Sequence, residues 1–134
     1  MGSRLDHCRV LVVEDDSLVG FDVRSLLREA GCEVVGPFPS KSTALRAISE
    51  QHLDAAVVDV NLGDSFAFSV ADALTWAKVP FLWLTGYSPD VLPDRYRGHP
   101  LIDKPYTPAS LIGALEDVIA HADNSEQHAA GSRM

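Results

Sequence analysis

Ala55-Ala56-Val57-Val58-Asp59-Val60-Asn61-Leu62 is an apolar run interrupted by a single acid. An apolar run of this length reads as a buried strand, and a lone carboxylate at its C-terminal tip lies where open α/β sheets keep their chemistry. Three other runs end the same way. Val10-Leu11-Val12-Val13 leads into Glu14-Asp15-Asp16, Phe81-Leu82-Trp83-Leu84 into Thr85-Gly86, and Leu101-Ile102-Asp103 into Lys104-Pro105. Parallel, adjacent strands would bring acids, a hydroxyl and an amine to one sheet edge. That set suits Mg²⁺-assisted transfer of a phosphoryl group onto Asp59.

Outward from these strand ends, the pattern alternates strand and helix. Strands are predicted over residues 9–13, 32–36 and 54–59, with two more opening at Pro80 and near Leu101. Leu18, Val19, Val23, Leu26 and Leu27 recur at helical spacing over residues 17–30, and Gly31 supplies the stop. Ser40 or Ser42 caps a second helix carrying Ala44, Leu45, Ala47 and Ile48. A third carries Phe68, Val70, Ala71, Leu74 and Trp76. The last starts near Thr107-Pro108, where proline is tolerated, and turns Leu111, Ile112, Leu115, Val118 and Ile119 inward. Pro89, Pro93, Gly98 and Pro100 break the rhythm, leaving room for a turn or two of helix between residues 88 and 96. Strands alternating with helices imply a doubly wound parallel sheet covered on both faces. One domain is expected over residues 8–122, and a flexible polar tail over residues 123–134.

Composition excludes several classes. The 134 residues suffice for one core, and 46% hydrophobic with 22% charged residues is ordinary for a globular protein. A net charge of −8 argues against a nucleic-acid partner, which needs a basic face. No apolar run approaches the roughly 20 residues that span a bilayer, so no membrane partner is expected. Met1-Gly2-Ser3-Arg4-Leu5-Asp6 lacks the apolar core of a secretory signal and the hydroxyl residue of a myristoylation site. Cys8 and Cys32 form no C-x-x-C pair and fit a reducing cytoplasm, as small core-edge residues. The five histidines lack metal-ligand spacing.

Mg²⁺ takes oxygen ligands, usually one or two carboxylates with water and phosphate oxygens. Glu14 and Asp15 can supply the acid pair, Asp59 is both ligand and nucleophile, and the Asn61 backbone carbonyl could reach the same ion. Crowded carboxylates repel one another and attract a divalent cation. Thr85 can hydrogen-bond one phosphoryl oxygen and Lys104 can pair with another. Positioning and charge neutralisation do most of the work of phosphoryl transfer, so a small set of groups suffices. Asp16 and Ser17 read as caps of the first helix.

Taken together, Val12-Val13-Glu14-Asp15-Asp16, Val58-Asp59-Val60-Asn61-Leu62, Leu84-Thr85-Gly86 and Asp103-Lys104-Pro105 make the chain resemble a receiver domain of the two-component response regulators. The resemblance implies a flavodoxin-like (CheY-like) five-stranded parallel sheet of order 2-1-3-4-5. It also implies phosphorylation of Asp59 by a partner sensor histidine kinase, with signalling to a downstream protein partner or phosphotransfer protein, or service as a phosphate sink. Glu14 and Asp15 match the family's acidic pair, Thr85 its switch hydroxyl and Lys104 its lysine. Two departures matter. Leu101 stands where receivers commonly carry a rotating Tyr or Phe, and the fourth helix is shortened by prolines. Pro80-Phe81-Leu82-Trp83-Leu84-Thr85-Gly86-Tyr87 is instead similar, in part, to the motif of the FATGUY single-domain regulators, which work without an attached output domain. A switch through Thr85 and Tyr87 is then expected.

Rivals fit less well. A haloacid-dehalogenase-type phosphatase needs a second aspartate where this chain has Asn61, so turnover as an enzyme is not expected. A flavodoxin-like flavin carrier must cradle a phosphate in its first loop, where Glu14-Asp15-Asp16 would repel it. A receiver serving only as an adaptor would not need all the reactive residues present here.

Overall fold

The computed structural model describes residues 5–63, 65–86 and 91–132, with side chains to Asp123. Five strands and four helices follow in the order β1 (Arg9–Val13), α1 (Ser17–Glu29), β2 (Glu33–Phe38), α2 (Lys41–Glu50), β3 (Ala55–Asp59), α3 (Phe68–Trp76), β4 (Phe81–Thr85), β5 (Leu101–Asp103) and α4 (Pro108–Ser132). All neighbouring strands pair in parallel, in the order β2-β1-β3-β4-β5. This is the doubly wound flavodoxin-like sheet. It sets the C-terminal ends of β1, β3, β4 and β5 along one edge.

Strand alternation divides the core. Leu11, Val13, Ala56, Val58, Phe81 and Trp83 face Ala44 and Ala47 of α2 and Val70, Ala71 and Leu74 of α3. Val10, Val12, Ala55, Val57, Leu82 and Leu84 face Val23 and Leu27 of α1 and Leu111, Leu115 and Val118 of α4. Both faces being covered explains why β1, β3 and β4 read as unbroken apolar runs rather than alternating ones. Each fully buried Leu or Val contributes about 1.5–3 kcal/mol.

The termini obey local chemistry. Asp16 caps α1, its carboxylate accepting from the N–H groups of Leu18 (3.0 Å) and Val19 (3.3 Å). At the other end Gly31, at φ +96°, lets its N–H reach the Arg28 carbonyl while Cys32 N–H reaches that of Leu27.

Two elements depart from the sequence reading. β2 does not stop at residue 36 but runs on through Pro37 to Phe38. Leu11 pairs with Val35 and Val13 with Phe38, so the register slips by one residue around Gly36-Pro37. An edge strand tolerates proline, and the bulge absorbs it. Gly36 sits at φ +105°, where an added Cβ would lie 2.7 Å from the Val12 carbonyl oxygen. α4 continues to Ser132, through residues from which a tail was expected. No proline follows Pro108, and alanines keep helix propensity high there.

Between β4 and β5, where at most a turn or two of helix was expected over residues 88–96, Val91 and Asp94–Tyr96 are 3₁₀ and residues 87–90 lie outside the described residues. The Asp94–Tyr96 turn is clamped to α3. Arg95 donates twice to the Asp72 carboxylate, at 3.0 Å each, and the Tyr96 hydroxyl donates to the same group at 2.6 Å. Arg95 and then Tyr96 hold Asp72 below the usual carboxylate range. Phe81, Trp83 and Tyr96 meet edge to face beneath this turn.

His99 stacks on Phe81 at 4.1 Å, its Nε2 donating to the Phe81 carbonyl at 3.0 Å. Burial pushes it below 6.5, with the carbonyl partly opposing. A base with a depressed folded pKa contributes stability that is present above its unfolded value and lost as pH falls. Wild type is therefore expected to lose stability between about pH 7 and pH 5.5 relative to His99→Phe. Urea unfolding of both proteins checks this, and equal changes would contradict it. Comparing the two proteins cancels the opposite contribution of Glu14, described below.

Candidate functional site

Asp59 ends β3 almost fully buried, at 4% exposure. Its Oδ1 accepts from Asn61 N–H at 3.0 Å and its Oδ2 from Lys104 Nζ at 2.8 Å. The same ammonium lies 2.7 Å from Glu14 Oε1. Glu14, also buried, accepts from Asp16 N–H through Oε2 at 3.1 Å. Asp15 is exposed, yet it brings an oxygen to the group: carboxylate oxygens of Glu14, Asp15 and Asp59 lie within 4.8 Å of one another.

Local structure produces this geometry. Parallel pairing of Val13 with Val58 sets the ends of β1 and β3 side by side. Pairing of Thr85 with Asp103, and the Lys104 N–H to Thr85 carbonyl bond at 2.7 Å, bring the lysine back over the edge. Asp15, Asn61, Gly63, Gly86 and Lys104 help enclose a shallow cavity of about 310 Å³ against the buried acids.

Charge in this cavity is crowded. Burial first, then the neighbouring Asp59, push the Glu14 carboxyl up to about 8, while Lys104 and Asp16 N–H work the other way. Burial disfavours the Lys104 ammonium, but Asp59 and Glu14 outweigh it and hold the lysine above its ordinary value. Three convergent carboxylates form a hard-oxygen donor set that fits Mg²⁺.

The predicted residues divide as follows. Glu14, Asp15, Asp59, Asn61 and Lys104 come together around one cavity. Thr85 is fully buried at the end of β4, adjoining the cavity without lining it. Leu101 is partly buried against the core beneath α2 and α3. Tyr87 lies outside the described residues.

Two participants escaped the sequence reading. Gly63, at φ +84°, passes so close to Asp15 that an added Cβ would lie 3.2 Å from its Oδ2. Its signal was its place just after a reactive strand end. The contact between Glu14 and Lys104 joins residues 90 positions apart (104 − 14) and had no local signal.

The model of the response regulator receiver domain matches residues 10–116. The chain belongs to this family. Among curated proteins, this receiver is 28% identical over 119 residues to the phyllosphere-induced regulator PhyR of Methylorubrum extorquens, covering 82% of this chain and 43% of that one. It spans about half the length of the curated relatives it matches. Among solved structures, it resembles the BeF₃-activated conformation of SdrG from Pseudomonas melonis, with 33% identity, a TM-score of 0.68, and 81% and 95% of the two chains covered. It also shares the fold of a receiver domain from a sensor histidine kinase of Pseudomonas aeruginosa, at 22% identity and a TM-score of 0.70, covering 85% and 98%. That protein has a magnesium ion coordinated in its active-site cleft. Among the described residues no α-helix lies between β4 and β5, and Leu101 pairs with Trp83.

Proposed function

We propose that the receiver accepts a phosphoryl group on Asp59 from a sensor histidine kinase, in a Mg²⁺-dependent reaction, and signals by contacts with other proteins. The observation that carries this is the Asp59 carboxylate, fixed by Asn61 N–H and Lys104 at a cavity it shares with two further acids.

An Asp59 oxygen attacks phosphorus, the bond from phosphorus to the donor imidazole breaks, and its electron pair returns to the ring. Glu14, Asp15, Asp59 and the Asn61 carbonyl would hold Mg²⁺, which supplies charge neutralisation for the phosphoryl oxygens. Lys104, already paired with Asp59, turns its ammonium to a phosphoryl oxygen as the carboxylate charge is consumed. Thr85 donates to another and moves inward. Leu18 (82% exposed) and Phe21 (65%) on α1 offer the kinase an apolar landing beside the cavity.

Incubation with a phosphorylated histidine kinase tests the reading. Label is expected to move to the receiver with Mg²⁺ present and to stay on the kinase when Mg²⁺ is chelated. Failure with every histidine kinase of the source genome and with acetyl phosphate would overturn it.

The switch runs through Thr85 and Tyr87, since Leu101 has neither ring nor hydroxyl to follow the threonine. Gly86 has open space around it and allows large backbone shifts. Tyr87→Ala is expected to abolish the dependence of partner binding on phosphorylation, and Leu101→Ala to leave that dependence intact. A Tyr87→Ala protein changed only in its dephosphorylation rate would sink the proposal.

A further inference from the structure

Lys104, Pro105, Tyr106 and Thr107 join β5 to α4, and Lys104 carries the ammonium that touches both buried acids. Both ends of this loop are fixed. Lys104 N–H is bound to the Thr85 carbonyl, and Thr107 and Ser110 cap each other, N–H to hydroxyl in both directions, at 3.0 and 3.1 Å. Pro105 has no N–H to give, so the middle is tied by a side chain. The Tyr106 hydroxyl donates to Asp22 Oδ2 on α1 at 2.6 Å, a short distance typical of a bond to an ionised acceptor.

The tie is not a by-product of packing. The Tyr106 ring lies partly buried against the core beneath α1 and α4, which a phenylalanine would fill equally well. Only the hydroxyl needs Asp22. Asp22 is exposed and belongs to the helix that Asp16 caps, immediately after the Glu14-Asp15 pair. One hydrogen bond therefore joins the helix following the acids to the loop following the lysine. Leu18, Val19, Asp22, Lys104, Pro105 and Tyr106 together frame a groove of about 470 Å³ across that seam.

We infer that Tyr106 and Asp22 are positioning residues, a strap that holds the Pro105–Tyr106 loop against α1 and so keeps Lys104 over Asp59. The inference rests on the reading of Asp59 as the phosphoryl acceptor. The strap touches neither the phosphoryl group nor the metal ligands, and it acts through Lys104 alone. Cutting it leaves every charge of the site in place and loosens their geometry.

Full-length protein, Mg²⁺ and acetyl phosphate make the test, with intact mass read against time and thermal melts to show that each variant folds. Tyr106→Phe and Asp22→Asn are each expected to slow phosphorylation about 10-fold, since small misplacements of catalytic groups are expensive. The double variant should be no slower than either single one. In a Lys104→Ala background, Tyr106→Phe should add nothing, which a merely structural role would not predict. Wild-type rates in both single variants would overturn the strap. So would equal slowing by Tyr106→Phe with and without Lys104. A second readout needs no phosphorylation: the Lys104 ammonium, which lies 2.7 and 2.8 Å from its two carboxylates, should exchange slowly with solvent in the wild type by NMR and faster in both strap variants. A wild type that acetyl phosphate cannot label would sink the acceptor reading, and unchanged ammonium protection would separately sink the strap.

Discussion

Asp59→Asn is expected to end phosphorylation outright, whether the donor is a phosphorylated kinase or acetyl phosphate. An amide oxygen is nearly the same size and still accepts the Asn61 N–H, so the loop after β3 has no reason to move. What disappears is the anionic oxygen that attacks phosphorus. Loss of a nucleophile costs on the order of 10⁶-fold in well-studied covalent enzymes, so no label should be detectable. Lys104 keeps Glu14 as a partner at 2.7 Å, so its charge is not stranded in the site. Fold and thermal stability should therefore survive, which makes the loss interpretable. Mass spectrometry of the treated variant decides it, and undiminished phosphate on Asp59→Asn would place the acceptor elsewhere.

Much of this was legible in the chain because fully buried parallel strands announce themselves as apolar runs. β1, β3 and β4 each end on a residue pattern too polar to continue the run, and that change of character marks the functional edge. The Asp16 cap was equally plain, since an acid directly before a periodic helix has one common use. β2 was cut short on paper because Gly36-Pro37 looks like a stop. Only its place at the sheet edge, a property of topology, makes proline acceptable there. The run of α4 to Ser132 was missed because polarity was taken as fraying, although helix propensity does not require an apolar face. The strand ends foretold that acids and amine would share an edge, but not which side chains would bond. The Glu14–Lys104 pair and the Tyr106–Asp22 bond depend on β5 and its loop returning to α1.

Asp15→Ala and Asp16→Ala are expected to differ sharply, although the two acids are neighbours of the same charge. Asp15 extends into the cavity, with an oxygen within 4.8 Å of those of Glu14 and Asp59, and Gly63 leaves room for it there. Asp16 also borders the cavity, but it spends its carboxylate on the Leu18 and Val19 N–H groups. Removing Asp15 deletes a hard oxygen ligand, while both variants lose one negative charge alike, so long-range electrostatics cannot separate them. Loss of even an outer-shell partner lowers metal affinity about 10–100-fold, and loss of a ligand should reach at least the upper end of that range. Asp16→Ala should instead keep most of its Mg²⁺ affinity and lose about 1 kcal/mol of stability through the uncapped helix. Calorimetric Mg²⁺ titration beside urea unfolding separates the two effects. Equal loss of affinity in both variants would mean that the carboxylates were assigned in the wrong register, with α1 beginning one residue away from where its cap now holds it.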